Sequence, residues 1–365
     1  MRYLLLIFLG AIFAIGLVMI FSTTSAEVLD HQLNKSTHQA LLKQIFYAFI
    51  GILLAIGVWR MGYHNLLRFS PALLVLFSIL LLLTLIPGIG REVNGSRRWL
   101  HLGGFSFQPS EFVKYIVPAY FIQRILALRD TEIAFRDFFR LLLPLGVPLF
   151  LILIEPNNGT VGVIVITLVM LCLLTRIPLK YWAIPLLVTA LVGGISASQL
   201  PYVSGRLKVY INPELDIHGK GHQPHQAKIA AGSGKLVGKG PGNSWQKLSY
   251  LPEAQNDYIA AIYAEEFGFL GVLVLILLYM LTALIGFYIA NQATDLQGFY
   301  LASVVTFLIS FQAFMNLGVV SGILPSTGLN LPLFSQGGTS LIANLMGIGL
   351  LQSIAKPPLG AEVNP

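Results

Sequence analysis

Asp257 stands at the end of a glycine- and lysine-rich segment, directly before a long apolar run that opens at Tyr258. A carboxylate at the edge of a low-dielectric region has its charged form disfavoured, which moves its pKa toward the range of a general base. The same place also suits a solvated aspartate favoured by a helix dipole. Upstream lie Gly238, Lys239, Gly240, Gly242 and Lys247. A segment of that kind can cradle phosphate through backbone N–H groups, with lysine supplying charge. It is not a P-loop, because GxxxxGK[ST] is absent.

Three further places carry residues that a lipid-facing helix does not need. In Gln108-Pro109-Ser110-Glu111, Pro109 suits a first helical turn and Ser110 a cap. Glu111 and Lys114 are three residues apart and share a helix face. They form either a self-neutralising pair at a membrane boundary or, if they face the bundle interior, a functional one. Arg97 and Arg98 add cations just before them. Glu155 opens the stretch Glu155-Pro156-Asn157-Asn158-Gly159-Thr160, which interrupts an apolar run. A tight turn accounts for Pro156, Asn158 and Gly159. It does not account for Glu155, which is costly there unless paired or hydrated. His218, His222 and His225 read as solvated loop histidines, since Pro224 and the glycines deny them a regular face for zinc.

The elements that must position these residues follow from composition. The chain has 365 residues, 55% hydrophobic and only 11% charged, and a mean hydropathy of +0.75. A soluble domain carries about 25% charged residues, and no globule of this length hides so much apolar surface. The fold class is therefore an all-α polytopic membrane protein. A net charge of +7 does not make it a nucleic-acid binder. The single cysteine, Cys172, excludes an intrachain disulfide.

At about 20 residues per crossing, the chain predicts about ten transmembrane helices. They fall over 3–22, 44–61, 69–87, 111–128, 140–155, 159–175, 181–201, 259–290, 298–320 and 338–355. The run 3–22 is longer than a signal-peptide core and has no clear cleavage site, so it counts as the first span. An even number of spans puts both termini on one side. Outside 202–257, ten Lys and Arg fall on that side and six on the other. Counted over short loops, this bias places both termini in the cytoplasm. The single membrane domain, 1–365, then carries one large extracytoplasmic loop, 202–257. That loop holds seven Lys or Arg against four acids. Arg206, Lys239 and Lys247 are its candidate anion contacts, and Tyr202, Tyr210, Trp245, Tyr250 and Leu251 are its candidate anchors.

Four blocks, in order, carry a resemblance: NGSRRW…QPSEFVK, EPNNGT, QKLSYLPEAQNDY, and NLGVVSGILPSTGLNLPLFSQGGTSL at 316–341. Together they resemble the SEDS family of shape, elongation, division and sporulation proteins, typified by RodA and FtsW, over the whole length. QKLSYLPEA leans toward the FtsW branch. The resemblance implies ten transmembrane helices with cytoplasmic termini in the bacterial inner membrane. It implies peptidoglycan glycosyltransferase activity on lipid II and the nascent glycan strand, with a class B penicillin-binding protein as partner. It matches Asp257 to the family's essential aspartate, and Glu111 and Lys114 to its QPSExxK pair. One departure stands out. The family turn usually reads QPDxGT, whereas here Asn157 replaces the acid and Glu155 lies two positions earlier, as a candidate auxiliary residue.

The implied reaction joins a sugar hydroxyl to an anomeric carbon with inversion and expels a lipid diphosphate. It needs a base on the acceptor hydroxyl and cations at the leaving group. Asp257 is the expected base. Arg97, Arg98, Lys114, Arg206, Lys239 and Lys247 are the expected cations, and a divalent cation such as Mg2+ or Mn2+ is a further candidate. Two other classes compete. A lipid flippase would draw on Glu265 and Glu266, about two turns into the eighth span. A non-catalytic scaffold for penicillin-binding proteins would leave Asp257 dispensable. Small residues of the eighth span, Ala260, Ala261, Gly268, Gly271 and Gly286, offer a surface for the partner's helix.

Overall fold

The computed structural model describes residues 1–31, 37–93, 96–102, 105–128, 134–187, 210, 221–248, 251 and 254–355. Ten helices lie wholly within these residues. They are α1 (Arg2–His31), α2 (Gln39–Met61), α3 (Tyr63–Leu85), α4 (Pro109–Ala127), α5 (Phe135–Ile154), α6 (Asn158–Leu174), α7 (His222–Ser233), α8 (Ile259–Asn291), α9 (Leu296–Val320) and α10 (Gly338–Ile354). Six of them, α1, α2, α3, α5, α8 and α9, are long and apolar enough to cross a membrane, and α6 and α10 are shorter apolar helices. The chain is a polytopic, mainly helical membrane protein. Nine of the ten expected spans coincide with these helices. The seventh is helical over 179–187, and its remainder lies outside the described residues.

The helices sort by what they face. α4 and α9 are buried along most of their length, from Val113 to Ile125 and from Tyr300 to Val320. α2, α5 and α8 instead expose large apolar side chains such as Phe49, Leu53, Val147, Phe150, Leu273 and Leu277. In water such belts would mark an interaction surface; around a helix bundle of this length they face lipid. α10 packs along α2, α3 along α4, α1 along α8, and α8 along α9. At α9 the chain restarts with a cap: the Asp295 carboxylate accepts from Gly298 N at 2.7 Å, and from the Tyr63 hydroxyl at 2.9 Å. Burial acts to raise the Asp295 pKa, but the Gly298, Tyr63 and His64 hydrogen bonds outweigh it and hold the carboxyl below its usual range.

Two further elements lie outside the expected spans. Between α3 and α4 runs an antiparallel sheet of β1 (Gly90–Val93), β2 (Ser96–Leu102) and β3 (Phe105–Phe107), in the order β1-β2-β3. Glu92 pairs with Arg97 in the β1–β2 register, and their side chains form an ion pair at 3.0 Å. α7 lies within the segment expected to be one extended loop.

α8 is not continuous. Gly268 has φ 66° and ψ −166°, which breaks the helical ladder and isolates the short first half, Ile259 to Phe267, from the rest. A glycine tolerates that φ without a steric penalty. The backbone groups released by the break are paired with the segment 235–240. Lys239 N and Gly240 N donate to the carbonyls of Glu265 and Glu266, both at 3.0 Å. Phe269 N and Leu270 N donate to the carbonyls of Lys235 and Leu236 at 2.9 and 3.1 Å. Non-helical backbone at membrane depth survives only where other protein groups satisfy it. The approach is close: a β-carbon on Gly238 would lie 2.2 Å from the Glu266 carbonyl oxygen.

Candidate functional site

The end of the bundle where α3, α5 and α9 stop and α4, α6, α8 and α10 begin collects the polar blocks. Their hub is the segment after α9. Asn316, in the last turns of α9, donates from Nδ2 to the carbonyls of Asp257 and Leu329, each at 2.8 Å. One turn earlier on the same face, Gln312 donates to the Asn330 carbonyl at 2.9 Å and accepts from Lys114 Nζ at 2.9 Å. Lys114 Nζ also bonds Glu111 Oε2 at 2.8 Å. This pair is turned into the bundle, with Lys114 only 1% exposed. The pair faces the bundle interior and neutralises itself there.

Asp257 is half-buried in the turn that leads into α8. Its backbone is fixed by Asn316 from one side, while Gln255 accepts from Gln336 N at 3.0 Å and the Tyr258 hydroxyl bonds Ser326 at 3.1 Å. Its carboxylate faces Gly328, where a β-carbon would lie 3.8 Å from Oδ2. The next residue back, Thr327, presents its carbonyl to Gly159 at the start of α6, where a β-carbon would come within 2.6 Å. Asp257, the 155–160 turn and the 316–341 block therefore meet at residues 327–330.

The 155–160 turn divides its polar side chains. Asn157 points inward: its Nδ2 donates to Ser110 Oγ at 3.3 Å, and its Oδ1 accepts from Thr160 Oγ1 at 3.0 Å. Glu155 points the other way, against α3, where the Thr84 hydroxyl donates to Oε1. It is 1% exposed, and its Oε2 has no hydrogen-bond partner. Burial raises its pKa to about 8, opposed by the Thr84 hydrogen bond and the Arg98 charge. Arg98 itself bonds backbone, donating from Nε to the Glu155 carbonyl at 2.9 Å and from Nη2 to the Pro156 carbonyl at 2.6 Å. Asn157, not Glu155, thus occupies the place beside Ser110.

The expected cations are distributed unevenly. Lys239 Nζ bonds Glu265 Oε1 at 2.5 Å, and Lys247 Nζ bonds Glu266 Oε1 at 2.8 Å. The Glu265 carboxylate also accepts from Ser244 Oγ at 2.5 Å and from the amides of Trp245 and Gln246 at 3.3 Å. The glycine-rich segment does form an anion cradle, and a carboxylate of the same chain fills it. Arg97 pairs with Glu92 on the exposed hairpin. Arg206 and His218 lie outside the described residues. His222 and His225 fall in the first turn of α7. Among the described residues no three His, Cys, Asp or Glu cluster as a metal site.

Three residues escaped the sequence reading. Gln312 and Asn316 are amides four apart in an otherwise apolar helix, and that spacing was the available signal. Lys228 is exposed on α7 and lies over Gly322, in the loop that follows α9; nothing in its local sequence marked it. Of the small residues expected to offer a surface on α8, only Gly271 is half-buried rather than buried. Ala260, Ala261 and Gly286 are buried, Gly286 faces Thr306 of α9, and Gly268 meets Gly238.

The family profile for cell cycle proteins of the FtsW/RodA/SpoVE type matches residues 2–358. The chain is 40% identical over 352 residues to a probable peptidoglycan glycosyltransferase FtsW of Nitrosococcus halophilus, covering 93% of this chain and 88% of that protein. It is 36% identical to the stage V sporulation protein E of Bacillus subtilis, covering 97% and 96%. Among solved structures it resembles a chain of a peptidoglycan synthase complex that coordinates polymerization and crosslinking, with a TM-score of 0.76, 27% identity and 97% coverage of both chains. It also resembles the rod shape determining protein RodA of Thermus thermophilus, with a TM-score of 0.67, 26% identity and coverage of 96% and 95%.

Proposed function

The chain belongs to the FtsW/RodA/SpoVE family of cell cycle proteins, and from that premise we propose that it polymerises lipid II into glycan strands. It is a peptidoglycan glycosyltransferase of the bacterial inner membrane. The reaction is an inverting transfer: the acceptor hydroxyl attacks the anomeric carbon and undecaprenyl diphosphate departs. The observation that carries this reading is the placement of Asp257. It is half-buried at the entry of α8, its backbone is fixed by Asn316, and its carboxylate opens toward Gly328, where the 155–160 turn and the 316–341 block meet it.

Asp257 takes the proton of the acceptor hydroxyl. Such a base contributes about 10²- to 10⁴-fold. The buried Glu111–Lys114–Gln312 chain braces α4 against α9, so the hub keeps its shape as charge develops. For the leaving diphosphate, Arg98 on the hairpin and Lys228 over Gly322 are the cations supported by position, since Arg97 is paired with Glu92. Lys114, Lys239 and Lys247 are committed to carboxylates. A divalent cation fits the donors present. The Asp257 carboxylate, Asn316 Oδ1 and Thr327 Oγ1 are hard oxygen ligands, and the latter two are buried without a hydrogen-bond partner. When bound, Mg2+ or Mn2+ would neutralise charge on the diphosphate.

The positive-inside bias supports cytoplasmic termini, with the Asp257 end outside the cytoplasm as the reading that follows from them. The partner is proposed to be a class B penicillin-binding protein, in keeping with the similarity to a chain of a synthase complex. The flippase reading loses its main support, because Glu265 and Glu266 are neutralised by lysines rather than lining a charged path. Purified full chain incubated with lipid II and run on a glycan gel tests the proposal. A ladder of polymer is expected, and its absence under every divalent-cation condition would overturn it.

A further inference from the structure

Glu265 and Glu266 are buried acids, 0% and 2% exposed, on the short first half of α8. Asp257 sits at the other end of that half-helix. The break at Gly268 removes the support that a continuous helix would give it. A helix of two to three turns is not stable alone; isolated helices shorter than about 12–15 residues are marginal in water. Something other than its own ladder must hold it, and two clasps do. Glu265 is gripped by Lys239, Ser244 and the amides of Trp245 and Gln246. Glu266 is gripped by Lys247, at 2.8 Å, and by Ser22 of α1, at 3.1 Å. Lys247 Nζ closes the second clasp by donating to Ser22 Oγ at 2.9 Å and to the Gly242 carbonyl at 2.7 Å.

We propose that Glu265, Glu266, Lys239 and Lys247 are positioning residues: the glycine-rich segment locks the half-helix that presents Asp257, and its lysines act on catalysis through that helix rather than by touching the diphosphate. The lysines have partners at hydrogen-bond distance, and the amides that would cradle a phosphate are turned onto Glu265. From Glu265 to Asp257 is about 12 Å at the helical rise of about 1.5 Å per residue. The rigid half-helix therefore transmits any loosening at the clasp to the base as a change of place. The inference rests on the glycosyltransferase reading, but its mechanical part does not.

The test compares the full-length wild type with Lys247→Met, Glu266→Gln, Lys239→Met, Glu265→Gln and the reversed pair Lys247→Glu with Glu266→Lys. Lipid II polymerisation is split into kcat and KM, and hydrogen exchange is followed over 254–267 in the same detergent. The clasp predicts that acid and lysine variants lower kcat alike, about ten- to a hundredfold, with KM within about twofold. It predicts faster exchange across 254–267, and recovery of at least part of kcat in the reversed pair. If a single variant fails to fold, the neutral pair Lys247→Met with Glu266→Gln replaces it, because removing both partners strands no charge. Lysine variants that raise KM while the acid variants leave it unchanged would overturn the proposal and return the lysines to the diphosphate. Unchanged exchange over 254–267 would overturn it even if no polymer forms in any sample. A wild type that makes no polymer, with exchange raised in the variants, would instead count against the glycosyltransferase reading alone.

Discussion

Asn316 holds Asp257 by its backbone: one amide nitrogen donates at 2.8 Å to the carbonyl of Asp257 and at 2.8 Å to that of Leu329. One side chain of α9 thus ties Asp257 to the 327–330 segment opposite it. Asn316→Ala should remove both bonds and let the two move apart. Because a misplacement of about 1 Å can cost on the order of a hundredfold, kcat for lipid II polymerisation should fall at least about tenfold. Asn316→Asp keeps an acceptor but loses the donor, and should fall as far. Unaltered turnover in both variants would mean that Asp257 is placed by other contacts.

The Glu111–Lys114 pair lends itself to a double-mutant cycle. Lys114 Nζ lies 2.8 Å from Glu111 and 2.9 Å from Gln312, inside the bundle. Removing one partner of such a pair leaves a buried charge and costs about 3–5 kcal/mol, whereas removing both costs less. Lys114→Met and Glu111→Gln should each lower the melting temperature more than the two together. Strictly additive losses would show that the residues do not interact.

Arg97 and Arg98 are adjacent, yet they should behave differently. Arg97 makes an exposed ion pair with Glu92, worth about 0–1 kcal/mol. Arg98 caps the end of α5 by binding two carbonyls, and hydrogen bonds to a charged group contribute about 1.5–3 kcal/mol. Thermal denaturation in detergent should rank Arg98→Ala well below Arg97→Ala. Equal melting temperatures would remove the capping role.

Glu155 predicts a pH dependence with a definite sign. Its folded pKa is raised to about 8, first by burial, while an unfolded glutamate titrates near 4.3. Between those values the folded state binds more protons than the unfolded one, so stability falls as pH rises. The contribution is complete below the unfolded pKa and lost as pH passes about 8. Glu155→Gln mimics the protonated form. Its melting temperature should match the wild type below the unfolded pKa of about 4.3 and exceed it increasingly as pH rises toward about 8. Parallel curves across that range would mean that Glu155 is ionised in the folded protein throughout.

How far this molecule was legible in its sequence depends on the element. Apolar runs of bilayer length gave nine helices directly, because in lipid the backbone has to satisfy itself and helices do so. The hairpin was missed because Arg91, Glu92, Arg97 and Arg98 mask any apolar alternation along it. The break in α8 was invisible for a different reason: Gly268 is one glycine among several in an apolar run, and only its partner Gly238, far away in sequence, explains it. Asp257, Glu111 and Lys114 were legible as charges that a lipid-facing segment cannot keep. Lys239 and Lys247 were legible as cations, but their occupants were not. Glu265 and Glu266 stood in the same reading, and only the fold brings the two pairs together. Asn157 and Glu155 could not be ranked from spacing, because a turn sends neighbouring side chains to opposite sides.

Whether Asp257 is the base of a lipid II polymerase is decided by one comparison. Wild type and Asp257→Asn, purified side by side, are assayed on lipid II by gel after their melting temperatures are shown to agree. Loss of the base should raise the barrier by about 3 kcal/mol or more, at least a hundredfold in rate. A polymer ladder is expected from the wild type and none from the variant over the same time. Near-normal polymer from folded Asp257→Asn would mean that Asp257 is not the base.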